Sequence, residues 1–146
     1  WSRGLGDVYK RQLIDLANEA ADRAREAILP YFRQNIDVSN KDEQAFDPVT
    51  EADKAAENAI RKVISLSRPQ DGIWGEETGE NASGTGFRWV IDPIDGTRSF
   101  ISGTPTWGVL ISLEQIGSGP ILGIIDQPYI RERFIGGLGT SQVRGP

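Results

Sequence analysis

The chain has no cysteine and no histidine. Without cysteine it forms no disulfide, offers no thiolate nucleophile and holds no Cys-ligated zinc. Without histidine it carries no Ser-His triad, no phosphohistidine chemistry and no His-ligated metal. Any metal bound by these residues must be held by oxygen, which favours Mg²⁺, Mn²⁺ or Ca²⁺. Positive charge is also scarce: 16 Lys and Arg stand against 21 Asp and Glu, a net charge of −5. The broad basic field that captures nucleic acid is missing, so no nucleic-acid partner is expected. No apolar run approaches the roughly 20 residues of a membrane helix, so no membrane partner is expected either. No basic stretch followed by an apolar one marks a secretory signal, and a cytoplasmic location is the expectation.

What is present fits one ordinary domain: 146 residues, 38% of them hydrophobic. Residues 1–12 lack a clean periodicity and read as a leader foreign to the fold. From Leu13 the pattern changes. Leu13, Leu16, Ala17, Ala20, Ala24, Ala27, Ile28 and Tyr31 recur at steps of three and four, the apolar face of a helix, with Asp15, Glu19, Arg23 and Glu26 opposite. Pro30 should kink or end that helix. Residues 35–46 are polar and turn-rich, a loop or irregular hairpin. A second helix is expected near Thr50, with Thr50 and Asp53 as a capping box and Ala52, Ala55, Ala56, Ala59, Ile60, Val63 and Ile64 as its buried face. Pro69 and Gly72 should close it. Extended segments follow at 73–76, 88–92, 107–113, 121–126 and 133–135, separated by turn residues. Residues 136–146 are Gly-rich with little to bury. Helices first and strands afterwards predict an α+β fold, two long helices packed on a mainly antiparallel sheet.

Three acidic motifs carry chemistry. In Asp92-Pro93-Ile94-Asp95-Gly96-Thr97, two carboxylates stand three residues apart at the end of an apolar strand. Pro93 restricts φ, Gly96 allows a tight turn, and Thr97 can open a helix whose free N–H groups suit an anion. Carboxylates beside an anion site repel a phosphate unless a cation bridges them, so the motif asks for a divalent metal. The second motif is Gly75-Glu76-Glu77; the third is Asp47-Pro48-Val49-Thr50-Glu51-Ala52-Asp53. Each alone has a plainer explanation. Asp and Gly dominate turns, Glu76 and Glu77 suit a solvated loop, and Asp53 suits a helix N-terminus. Together, in a chain with no other catalytic side chains, they favour a metal site.

These three motifs, in this order and completed by Trp89 to Phe100, resemble the signature set of the inositol monophosphatase superfamily of Mg²⁺-dependent, lithium-sensitive phosphomonoesterases. The resemblance covers about residues 13–137. It implies the N-terminal α/β sandwich of the inositol monophosphatase/fructose-1,6-bisphosphatase type. Within the superfamily, Arg98 to Gly108 and the stretch from Ile124 to Phe134 resemble the histidinol-phosphate phosphatase branch. The resemblance implies that Glu76, Asp92 and the Ile94 carbonyl hold a first Mg²⁺ and that Asp92 and Asp95 share a second, with Glu76 also reaching a third through water. Mn²⁺ is the expected substitute. It implies that Asp53 and Thr97 position and activate the attacking water, with Glu76 part of the catalytic set, and that the Gly96 and Thr97 amides contact the phosphate. The implied reaction is in-line attack of a metal-activated water on a small phosphomonoester, histidinol phosphate first and inositol-1-phosphate or a related sugar phosphate as the alternative.

Two departures stand out. The family's C-terminal half carries a Trp-Asp-x-Ala-Ala motif whose Asp ligates the second metal, and no such motif occurs here. The tail from Thr140 also leaves the family pattern. The domain organisation expected is therefore a leader at 1–12, an N-terminal metal-binding domain at 13–137 and a divergent tail at 138–146, with the C-terminal half missing. Such a chain should bind Mg²⁺ weakly, turn over little, and expose the sheet surface meant for the other half. A homodimer is expected of the complete protein. A reading from a different class is a non-catalytic metal- or phosphate-binding module.

Overall fold

Two amphipathic helices and a twisted sheet account for the chain in the computed structural model, which describes residues 6–34 and 48–146. Helix α1 (Asp7–Ile28) is followed by a 3₁₀ turn at Leu29–Tyr31, and α2 spans Pro48–Ser67. The sheet comprises β1 (Gly72–Gly75), β2 (Gly79–Asn81), β3 (Phe87–Asp95), β4 (Gly108–Gln115), β5 (Gly119–Gln127), β6 (Glu132–Gly137) and β7 (Thr140–Arg144), with a short helix α3 (Thr97–Ser102) between β3 and β4. Its spatial order is β2-β1-β3-β4-β5-β6-β7. The β1–β3 pair is parallel and every other pair antiparallel. The expected α+β architecture of long helices on a mainly antiparallel sheet is the one observed.

The predicted ends of the helices hold in part. Pro30 does terminate α1, its ring falling in the 3₁₀ turn. But α1 starts at Asp7, so residues 7–12, assigned above to a leader, form its first turns. Pro48 opens α2, where its missing N–H costs nothing. Thr50 stands in the first turn, two residues after that start. Residues 136–146 have little to bury, as expected, yet β7 pairs with β6 from Gly137↔Thr140 to Arg133↔Arg144. The loop expected at 35–46, together with Asp47, lies outside the described residues.

Strand alternation divides the sheet into two unlike faces. Trp89, Ile91, Val109, Ile111, Leu113 and Ile124 face the helices and are almost wholly buried, with Ala20, Ala24, Ile60 and Ile64 among their partners in one core. Alanines on both helices let backbones approach closely, and α1 packs on α2, β4 and β5 while α2 packs on β3. The opposite face is open. Trp74, Ile125, Phe134 and Val143 are exposed there. With Leu110 they line a broad groove of about 870 Å³ that has Glu76 and Asp92 at its margin.

Polar pins tie the layers together. Asp126 on β5 is fully buried and accepts from Arg25 Nε (3.1 Å) and Nη2 (2.6 Å) of α1, and from Arg133 Nε (2.8 Å) of β6. Arg133 also donates to Asn18 Oδ1 (3.0 Å) and Asp22 Oδ1 (2.7 Å) on α1. Asp71, after α2, accepts from Arg68, from the Thr85 hydroxyl at 2.7 Å and from the Trp89 indole at 3.0 Å.

Candidate metal centre

The parallel β1–β3 pair builds the acidic site. Gly75 lies opposite Ile91. One residue further along each strand, Glu76 therefore comes beside Asp92. Asp95 needs a second device. In a regular strand, residues three apart point to opposite faces. Here Asp92 pairs with Leu110 and Asp95 with Gly108, so three steps on β3 match two on β4. The extra residue makes a bulge, one of the settings in which a proline such as Pro93 is tolerated inside a strand. The bulge offsets the alternation and lets the Asp95 charge act on Asp92.

The electrostatics follow from that crowding. The Asp92 carboxyl is pushed from its ordinary 3.8 up to about 6, first by burial, then by the Glu76 and Asp95 charges and a hydrogen bond with Glu76; the Ile94 amide works weakly the other way. Its Oδ1 is buried without a hydrogen-bond partner. A buried, unpaired acceptor that repels its neighbours is costly for the apo chain. An oxygen-seeking divalent cation removes both penalties at once, and all available donors are oxygens. In these respects the pair Glu76 and Asp92 fits such an ion. Among the described residues, however, no three Asp, Glu, His or Cys side chains are gathered into a group able to enclose one. The structure thus joins two of the expected ligands and leaves Asp95 acting through its charge.

The remaining expected residues are placed as follows. Ile94 is buried in β3, and its carbonyl faces the Thr97 hydroxyl at 3.5 Å. Gly96 is the N-cap of α3 in the left-handed region (φ 86°), and Thr97 is the first helical residue, both exposed. The Gly96 carbonyl accepts from the Phe100 amide at 3.1 Å, closing the turn. A Cβ at Gly96 would lie 2.9 Å from the Thr106 carbonyl oxygen, besides the strain of positive φ. Gly96→Ala is therefore expected to cost about 1–2 kcal/mol and to lower the thermal midpoint by several degrees; an unchanged midpoint would show that the turn can relax. Asp53 is half-buried on α2, one helical turn before Glu57.

Glu57 is the residue that sequence reasoning missed. Ala55 and Ala59, expected on the buried face of α2, are only half-buried, whereas Glu57 is fully buried. Its Oε2 accepts the Glu77 amide at 3.1 Å. The available signal was its spacing, four residues after Asp53 and therefore on the same side of α2.

Comparison with known proteins places the fold in a family. The model of the "Inositol monophosphatase family" matches residues 9–144. A histidinol-phosphatase of Chlorobaculum parvum is 48% identical over 129 residues, covering 88% of this chain and 49% of its own. An inositol-1-monophosphatase of Rhizobium meliloti is 39% identical over 136 residues, covering 86% and 49%. Among solved structures, an inositol monophosphatase from Zymomonas mobilis superposes with a TM-score of 0.77 at 40% identity, over 92% of this chain and 51% of its own. The chain spans about half the length of the curated relatives it matches.

Proposed function

The chain belongs to the inositol monophosphatase family, and from that premise we propose that its acidic site serves a divalent-cation-dependent phosphomonoesterase. The observation that carries this reading is the buried, unpartnered Asp92 Oδ1 beside Glu76. Mg²⁺ is the ion proposed, with Mn²⁺ as its substitute. Bound at the site, such a cation supplies positive charge for phosphate oxygens and acidifies water. Glu76, Asp92 and the Ile94 carbonyl are the groups that would hold it, with Asp95 completing the charge. Asp53 and Thr97 would orient the attacking water, the Asp53 carboxylate taking its proton. The Gly96 and Thr97 amides at the start of α3 would meet the phosphate. Positioning and charge neutralisation, not covalent chemistry, supply the rate in this scheme.

Histidinol phosphate is the substrate we propose first. Support comes from the Arg98 to Gly108 segment and from the 48% identity to a protein named histidinol-phosphatase. Inositol-1-phosphate is the second candidate, supported by a relative named inositol-1-monophosphatase at 39% identity. The incomplete ligand group favours one other reading, a metal- or phosphate-binding module without turnover. Mg²⁺ titration of the chain, with phosphate release measured on both substrates, separates the three. Binding with faster release from histidinol phosphate supports the proposal. Preference for inositol-1-phosphate reassigns the substrate. Saturable binding with no release from either, by this chain and by a protein extended to the length of its relatives, supports the binding module.

A further inference from the structure

Glu57 is wholly buried in an apolar layer, and nothing in the proposed reaction uses it. Its carboxylate spans the turn that carries Glu76. Oε2 accepts the Glu77 amide at 3.1 Å, and Oε1 accepts from Arg61 Nη2 at 3.3 Å. The same Arg61 nitrogen donates to the Gly79 carbonyl. Gly75 and Gly79 are the closing pair of the β1–β2 hairpin. The Glu57–Arg61 pair, one turn apart on α2, therefore grips this hairpin from below, once at the amide after Glu76 and once at its far closing carbonyl. Gly75 leaves room for the grip. A Cβ there would stand 1.3 Å from Glu57 Oε1 and 2.5 Å from its Cδ. Glycine at this position answers to the carboxylate and not to an unusual backbone angle.

We propose that Glu57 is a positioning residue that sets the Glu76 carboxylate for cation binding by holding the Gly75–Gly79 turn against α2. The proposal rests on the reading of Glu76 as a cation ligand given above. An apolar side chain could fill the space but could not accept the Glu77 amide, and ordering of ligands by outer partners is a general requirement of metal sites. The pair is otherwise hard to account for, since a buried ion pair is seldom more stabilising than well-packed apolar residues.

The test uses the 146-residue chain, Mn²⁺ as the probe, and hydrogen exchange of the Glu77 amide by NMR. In Glu57→Ala the Glu77 amide should lose protection while amides of β3 and β4 keep theirs, and the Mn²⁺ Kd should rise about 10- to 100-fold. Glu57→Gln retains an acceptor for the amide and should stay within a few-fold of wild type. Gly75→Ala should weaken binding by itself, yet add little further loss when Glu57 is already alanine, since the clash is then gone. Asp92→Asn, with the turn intact, should lose binding yet keep Glu77 protected. If wild type binds Mn²⁺ and Glu57→Ala binds equally well, the proposal is overturned. If Glu77 protection survives in Glu57→Ala, it is overturned whatever Mn²⁺ does. If wild type fails to bind while Glu57→Ala still loses Glu77 protection, the cation reading fails and the hold of Glu57 on the turn stands.

Discussion

Asp92→Asn is expected to raise the thermal midpoint of the metal-free chain and to abolish its stabilisation by Mg²⁺. The two effects share a cause. In the apo chain the Asp92 carboxyl titrates near 6 because burial and the Glu76 and Asp95 charges oppose its ionisation. Its folded pKa lies above its unfolded one, so the folded state binds more protons between the two values. Stability therefore falls as pH rises from about 4 to about 6, and the loss is complete above that window. Discounted for the partial exposure of the group, the loss is about 1–2 kcal/mol. Asparagine has nothing to ionise and escapes it. The same substitution removes the charge that the cation needs. Wild type at a Mg²⁺ concentration 100 times Kd should gain about 2.7 kcal/mol, whereas the variant should gain nothing. Thermal melts at pH 4 and pH 7, with and without Mg²⁺, check both halves. A variant less stable than wild type at pH 7 without metal would refute the electrostatic account, and one stabilised normally by Mg²⁺ would remove Asp92 from the ligand set.

Asp126→Ala should be the most damaging single change for the fold, at about 3–5 kcal/mol. That is comparable with the whole stability of many domains. Asp126 is fully buried and accepts from two guanidinium groups, those of Arg25 and Arg133. The Arg133 side chain is only 5% exposed. Burial works against its charge, yet its pKa is raised because the hydrogen bond and charge of Asp126, followed by those of Asp22, outweigh that penalty. Without Asp126, Arg133 keeps Asp22 and Asn18 but remains buried with less compensation, and Arg25 loses its bidentate partner. Urea denaturation should show a lower midpoint with an unchanged slope. A shift worth less than about 1 kcal/mol would mean that the helix layer repacks around the vacancy. The predicted loss is one of folding alone, so cation affinity measured well below the midpoint should be retained.

Much of this was legible beforehand because it is local. Leu13 to Ile28 alternate at helical spacing, the segment 88–92 reads as a strand, and Pro30 stops a helix wherever it stands. The acidic motifs were legible for the same reason, since Asp92, Asp95, Gly96 and Thr97 are near neighbours in the chain. What escaped notice was non-local or atypical. β2 is three residues long and wholly exposed, so it has no apolar pattern to read. β7 is built from Thr, Ser, Gln, Val and Arg, and its place comes from pairing with β6. Burial of Glu57 has no local signal, because burial of a carboxylate depends on its partners, here an amide 20 residues away and an arginine one turn on.

By itself, then, the sequence determined the two long helices, the central strands and the oxygen-only character of any metal held by these side chains, because composition and short-range spacing suffice for these. Tertiary structure alone decided the rest. The parallel pairing of β1 with β3 brought Glu76 to Asp92, and the bulge after Asp92 brought Asp95 within electrostatic reach. Burial then turned ordinary acids into unlike ones: Asp92 made harder to ionise, Asp126 locked between two arginines, Glu57 fixed beneath a glycine. A carboxylate's chemistry depends on what displaces its water, and only the folded chain supplies that.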